Sequence, residues 1–240
     1  MSFLFAYVKN FSYVCKIKLE NMARILVACE ESQATTKAFR ELGHEAYSCD
    51  LLPCSGGHPE WHFQCDVFEV INQGWDLMIA HPPCTYLAGS GAQWLSHPDD
   101  KELPFEERRP HPKYPNRRQD MLDSVEFVKA LYNADIEYIA IENPVGLLSS
   151  RWRKPDQIVQ PYMFGDEATK TTCLWLKNLP LLTPTDIVGK GERTVFESGK
   201  SHPKWYADAL KNAKTKEERQ TLRSKTFQGM AKPFAKQWGD

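Results

Sequence analysis

With 240 residues, the chain has the size of one α/β domain with a small appended lobe and can bury a sizeable core. Its 30 Lys and Arg against 31 Asp and Glu leave a formal net charge of −1, so no global field announces a polyanionic partner and any phosphate site must come from local clustering. No apolar run is long enough to span a bilayer, and 7 cysteines with no signal-peptide pattern before them point to a reducing cytoplasm.

Residues 1–21 are apolar and aromatic but interrupted by Lys9, Lys16 and Lys18, and Met22 follows them. They read as an extension or extra edge element, set apart from a core over 22–180. Ile25-Leu26-Val27-Ala28 reads as a buried parallel strand. A helix from Ser32 to Leu42 is closed by Gly43. A second strand runs from Glu45 to Cys49 and ends at Asp50, and a Gly/Pro loop and a short strand or turn lead to Asp66. Trp75 to Ala80 is a third strand, broken by Pro82-Pro83. Ser96 to Pro115 reads as a long loop, Met121 to Tyr132 as an amphipathic helix, Tyr138 to Ile141 and Thr172 to Leu176 as strands. Residues 181–226 read as a small basic recognition or accessory region, with a charged helix from Ala207 to Lys225. A last segment, 227–240, reads as packing back on the core.

Strands alternating with helices predict an open, mostly parallel sheet with helices on both faces. Ligands of such sheets bind beyond the carboxyl ends of the strands. The residues there are Cys29-Glu30-Glu31, Asp50, Asp66, His81 to Tyr86, and Glu142-Asn143. Cys84 follows two prolines at a strand end, which suits a nucleophile on a rigid turn. Glu142 ends another strand and could serve as the acid opposite it. Asp50 stands after the second strand, where an acid meets ribose hydroxyls.

These residues carry a resemblance. Ala80-His81-Pro82-Pro83-Cys84-Thr85-Tyr86 resembles the Pro-Cys motif of the DNA cytosine-5 methyltransferases, and Ile141-Glu142-Asn143-Pro144 resembles their Glu-Asn-Val motif. The segments around Asp50-Leu51 and Asp66-Val67 resemble the motifs that reach the ribose and adenine of S-adenosylmethionine, and Phe227 to Gly239 resembles the closing motif, with Gly229 in it. The whole looks most like short methylase-like proteins of phages and prophages. The resemblance implies a Rossmann-like, S-adenosylmethionine-dependent sheet. It implies Cys84 as nucleophile with Pro83, Glu142 and Asn143, and a cofactor held by Cys29, Glu30, Glu31, Asp50, Leu51, Asp66, Val67, His81, Pro82 and Gly229. Thr85, Tyr86, Arg117, Arg118, Lys170 and Thr172 are the expected substrate contacts, with DNA as the partner and RNA or a nucleotide as alternatives. The chain departs from the pattern in several places, among them Met230 where the closing motif has an asparagine and only about fifty residues between Leu176 and Phe227, too few for a long target-recognition domain. The first loop, Ala28 to Gln33, has no glycine; Thr85 replaces a glutamine; and Ala168 to Leu176 replaces a Gln-x-Arg-x-Arg motif.

Other readings stay open. His81-Pro82-Pro83-Cys84 is a distorted match to the motif of exocyclic-amino methyltransferases, in which His81 rather than Cys84 would matter. The glycine-less loop also suits a catalytically inert binding protein. Cys54, His58, His62 and Cys65 have spacings a zinc site could use, although no metal is the leading expectation. The basic loop from Arg108 to Arg118 and the Lys/Arg-rich tail after Lys200 are candidate phosphate contacts.

Overall fold

The computed structural model describes residues 22–215, 218–219, 222 and 227–239. The extension over 1–21 and much of 216–226 lie outside the described residues. The central sheet has seven strands: β1 (Arg24–Ala28), β2 (Glu45–Asp50), β3 (His62–Gln64), β4 (Leu77–Ala80), β5 (Tyr138–Pro144), β6 (Gln157–Val159) and β7 (Thr172–Lys177). Their order is β3-β2-β1-β4-β5-β7-β6. Strands β3 through β5 pair in parallel, while β7 lies antiparallel between β5 and β6. This is the 3-2-1-4-5-6 order of a doubly wound nucleotide-binding sheet with one antiparallel strand wedged before its last member. The expected open, mostly parallel α/β fold is the observed one.

The sheet is built from apolar runs because both faces are covered. Alternate residues of the central strands enter two cores. Leu26, Ala28, Met78, Ile139 and Ile141 pack under helix α2 (Arg117–Tyr132) through Met121, Val125, Val128 and Leu131. Ile25, Val27, Leu77, Ile79 and Ala140 face helix α1 (Ala34–Glu41) and the last helix through Phe39, Phe234 and Trp238. A short helix α3 (Leu148–Arg151) follows β5. The small C-terminal lobe is a hairpin of β8 (Arg193–Val195) and β9 (Ser201–Pro203), followed by α4 (Lys204–Asn212). Segment α5 (Gln228–Trp238) then returns to the core beside α1. Among the described residues no helix is long and apolar enough to cross a membrane.

Several boundaries differ from the sequence reading. Helix α2 begins at Arg117 rather than Met121, because its first turn is polar and carries no apolar period. The helix expected from Ala207 to Lys225 starts at Lys204 and is interrupted after Asn212, where Ala213 turns extended, and most of its span beyond 215 lies outside the described residues. The long loop is folded: short 3-10 turns lie at Pro98–Asp100 and Phe105–Glu107. The Asp100 carboxylate, almost fully buried, accepts from the Arg109 guanidinium at 2.6 Å and from the Arg109 amide at 2.8 Å. Those bonds hold its carboxyl down at about 2.

Candidate active site

From β1 the chain turns one way to β2, and β4 lies on the other side, so the carboxyl ends of β1 and β4 mark the topological switch point where such sheets bind ligands. The loop after β1 has no glycine, yet Cys29 (φ 59°) and Gln33 (φ 58°) adopt the left-handed conformation that glycine tolerates most readily. Each costs on the order of 1 kcal/mol, and such strain concentrates at functional sites. Buried Gln33 accepts from the His58 amide at 3.1 Å and donates to the His58 carbonyl at 2.8 Å, which pins the Gly/Pro loop.

Glu30 is buried, and its carboxylate faces the first turn of α1. It accepts from the Thr35 amide (2.6 Å), the Thr36 amide (3.1 Å) and the Thr36 hydroxyl (2.8 Å). The helix N-terminus, where open α/β folds often seat a ligand anion, is thus filled by the chain's own carboxylate. Glu30→Ala should lower stability by about 3 kcal/mol, since it strands two buried amides; chemical denaturation measures this, and a loss under 1 kcal/mol would contradict the cap.

The loops after β4 and β5 are stitched together. Asn143, almost fully buried, donates from Nδ2 to the Pro82 carbonyl at 2.8 Å. The Gly89 amide donates to the Val145 carbonyl at 3.3 Å, and the Leu147 amide to the Leu87 carbonyl at 2.7 Å. Ala88 and Gly146 form an isolated antiparallel bridge. Gly146 is needed for this approach, because a Cβ there would overlap the Leu87 carbonyl oxygen. Gly146→Ala should therefore cost about 2 kcal/mol and separate the two loops, so that a shift in melting temperature comes with lost activity; a variant as stable as the parent would show that the loops are not held this way.

On this frame Pro83, Cys84 and Thr85 are exposed and Pro82 is buried. Cys84 stands three residues beyond His81, within about 11 Å along the chain. His81 donates or accepts through both ring nitrogens: Nδ1 lies 3.2 Å from Glu142 Oε2 and Nε2 lies 3.3 Å from Thr35 Oγ1. Burial opposes the imidazolium, but the hydrogen bond and charge of Glu142, aided by Glu30, outweigh it, so His81 protonates more readily than usual. Burial likewise raises Glu142, yet the bond and charge of His81 outweigh it, with help from Lys170, and hold the carboxyl below its usual range. The two side chains are 10% and 20% exposed. A cavity of about 10 Å³ next to it is lined by His81, Glu142, Lys170 and Thr172 on one side. Phe227 and, from α5, Met230 and Phe234 line the rest.

The acids expected at the cofactor also converge. Burial first, then the charges of Asp50 and Asp66, push the Cys29 thiol up to about 12. Asp50 accepts from the Leu52 amide at 2.9 Å, which leaves its carboxylate oxygens with capacity for further donors such as ribose hydroxyls. Asp66 is exposed and caps a turn through the Phe68 amide at 3.0 Å, while Val67 is buried and Leu51 is exposed. Gly229 donates its amide to Asp166 at 2.6 Å, and a Cβ there would strike the same carboxylate, so packing accounts for this glycine.

Two of the expected substrate cations make contacts within the protein. Arg117 donates to the Thr85 carbonyl at 2.9 Å and lies over the Tyr86 ring. Arg118 donates to the Arg108 carbonyl at 2.7 Å and lies over Phe105. Thr172 is buried and donates to the Lys170 carbonyl. In the tail, Lys204 pairs with Glu192 at 2.6 Å, and Trp205 donates inward to the Thr169 carbonyl. The four zinc candidates point to separate partners: Cys54 to Gln33, His58 to Glu60, His62 to Ser48 and Leu52, Cys65 to Cys49. Among the described residues no cluster able to hold a metal is found. Sequence reasoning missed Thr35 as the partner of His81 and Phe227 and Phe234 beside the pair, since hydroxyls in a first helical turn read as caps and aromatics as core.

No family model matches the sequence, and no curated protein matches it. Among solved structures the chain is similar to the crystal structure of the S. pombe Dnmt2 methyltransferase, with 15% identity and a TM-score of 0.40. The match covers 78% of this chain and 59% of that one, so the chain spans less than two thirds of the neighbour's length.

Proposed function

We propose that the protein is an S-adenosylmethionine-dependent methyltransferase acting at carbon 5 of cytosine in DNA. The observation that carries this is the stitched pair of loops, which holds an exposed cysteine thiol and a half-buried carboxylate at neighbouring strand ends. Carbon 5 of cytosine is a weak nucleophile. Addition of the Cys84 thiolate to carbon 6 makes an enamine of the ring, while protonation at ring nitrogen 3 through Glu142 accepts the displaced electron pair. S-adenosylmethionine supplies an electrophilic methyl group when bound; Asp50 and Asp66 would hold its adenosine. Asn143 fixes the Pro82 carbonyl, and with it the turn that presents Cys84. In a duplex, the target base must leave the stack. Both ring nitrogens of His81 are engaged inside the protein, which speaks against a role for His81 at an exocyclic amine. The test is covalent trapping: a 5-fluorocytosine oligonucleotide incubated with protein and S-adenosylmethionine should give an adduct of one-to-one mass, and a digest should place it on Cys84. An adduct on another residue would overturn the assignment.

A further inference from the structure

We infer that His81 is a positioning residue that fixes the Glu142 carboxylate and stores the proton which Glu142 passes to ring nitrogen 3. This deepens the cytosine-5 reading and rests on it. The geometry places the imidazole between two partners on different elements, Thr35 Oγ1 of α1 at 3.3 Å and Glu142 Oε2 of β5 at 3.2 Å. Its backbone is fixed too, because the His81 amide donates to the Ala28 carbonyl at 2.9 Å. Glu142 alone would meet the ring as a bare carboxylate, able to accept from the exocyclic amine but with no proton to give. With His81 beside it, one proton is shared by the pair.

The step balances as follows. The Cys84 thiolate forms the bond to carbon 6, the carbon 5–carbon 6 double bond shifts to carbon 4–carbon 5, and the electron pair of the carbon 4–nitrogen 3 bond takes a proton from Glu142. His81 Nδ1 then refills the carboxylate and is left neutral. Once carbon 5 has taken the methyl group, the carbon 4–nitrogen 3 double bond re-forms and nitrogen 3 returns its proton along the same path; the carbon 5 proton then passes to solvent water as base, the carbon 5–carbon 6 double bond re-forms, and Cys84 leaves as thiolate.

The groups facing the imidazole are few. Glu142 comes from β5, Glu30 from the loop after β1, and Lys170 from the segment before β7; the first two favour the imidazolium and Lys170 opposes it. Thr35 and Thr172 are neutral, and Phe227, Met230 and Phe234 add no charge. The balance favours the imidazolium more than in an ordinary histidine, with the proton lost as pH rises.

Two measurements on the full-length protein test this. The first is the rate of adduct formation on a 5-fluorocytosine oligonucleotide against pH. The parent rate should fall on the alkaline side with the loss of one proton. His81→Gln should lose about 100-fold in rate, keep oligonucleotide affinity, and show no such alkaline fall. An unchanged profile in His81→Gln would overturn the inference. The second is the NMR titration of His81 in the parent and in Glu142→Gln. A midpoint above the ordinary histidine value that drops in the variant supports the pair; a midpoint that ignores Glu142→Gln overturns it even if adducts form. If the parent forms no adduct while the titration behaves as expected, the cytosine-5 reading and the proton's destination fall, and the pairing of His81 with Glu142 stands.

Discussion

Cys84→Ala should abolish covalent capture of 5-fluorocytosine DNA, and Cys84→Ser should lower methyl transfer by at least about a thousandfold, as removal of a nucleophile does in other enzymes. The thiolate is the attacking species, so a reactive cysteine must be accessible and able to ionise. Among the described cysteines, Cys84 alone is exposed. Burial pushes Cys29 up to about 12, raises Cys49 with help from Cys65, and raises Cys173 with help from the charge of Glu142. Those thiols stay protonated at neutral pH. Cys29→Ser and Cys173→Ser should therefore leave the adduct in place, which mass spectrometry of the trapped protein reads directly. Capture that survives Cys84→Ala, or that disappears in Cys173→Ser alone, would contradict the assignment.

Glu142→Gln should lower turnover by about 10³-fold with little change in the apparent affinity for DNA. The amide has the carboxylate's shape and can still hydrogen-bond the ring edge, but it cannot deliver a proton; general acid catalysis contributes typically 10²- to 10⁴-fold. The substitution also removes the partner of His81, so the imidazole loses what holds its proton. A signature in stability follows from the same pair. The raised His81 contributes stability below its unfolded value, and that contribution disappears as pH rises through the folded one. The lowered Glu142 contributes above its unfolded value, and that is lost as pH falls through the folded one. The pair thus stabilises the protein in the window between the two, and Glu142→Gln should flatten the pH dependence of the melting temperature there. Turnover within tenfold of the parent would show that Glu142 is not the acid.

Much of the sheet is legible in the sequence because its central strands are buried on both faces. Ile25 to Ala28, Leu77 to Ala80 and Tyr138 to Ile141 are uninterrupted β-forming runs, and all three are strands. Strand β6 and the hairpin of β8 and β9 are not legible. Each strand has three residues, part of them exposed, and each exists only through its partner: Gln157 to Val159 against β7, Arg193 to Val195 against β9. Short, half-exposed pairs have no periodicity of their own. At the site, Cys84 and Glu142 stand out as chemistry-bearing residues at strand ends, but the sequence holds no distance between them. The stitching by Asn143 and Gly146 is tertiary, and a glycine required by the Leu87 carbonyl reads in sequence only as a turn. Glu30 shows the opposite case. Its place in the loop after β1 suggests a ligand contact, whereas its carboxylate caps α1, a role decided by the unsatisfied amides of a helix whose Gln33 cap makes no side-chain bond to them.

The most direct test of the central claim is to map the transferred methyl group. The protein is incubated with S-adenosylmethionine carrying a deuterated methyl group, together with single- and double-stranded DNA and, in parallel, RNA; nuclease digestion and mass spectrometry then identify the labelled nucleoside. The account predicts label in 5-methyldeoxycytidine, dependent on Cys84 and Glu142. Label in N4-methylcytosine or N6-methyladenine, or no label in any nucleic acid, would contradict it, and label in 5-methylcytidine of RNA alone would keep the chemistry and overturn DNA as the substrate.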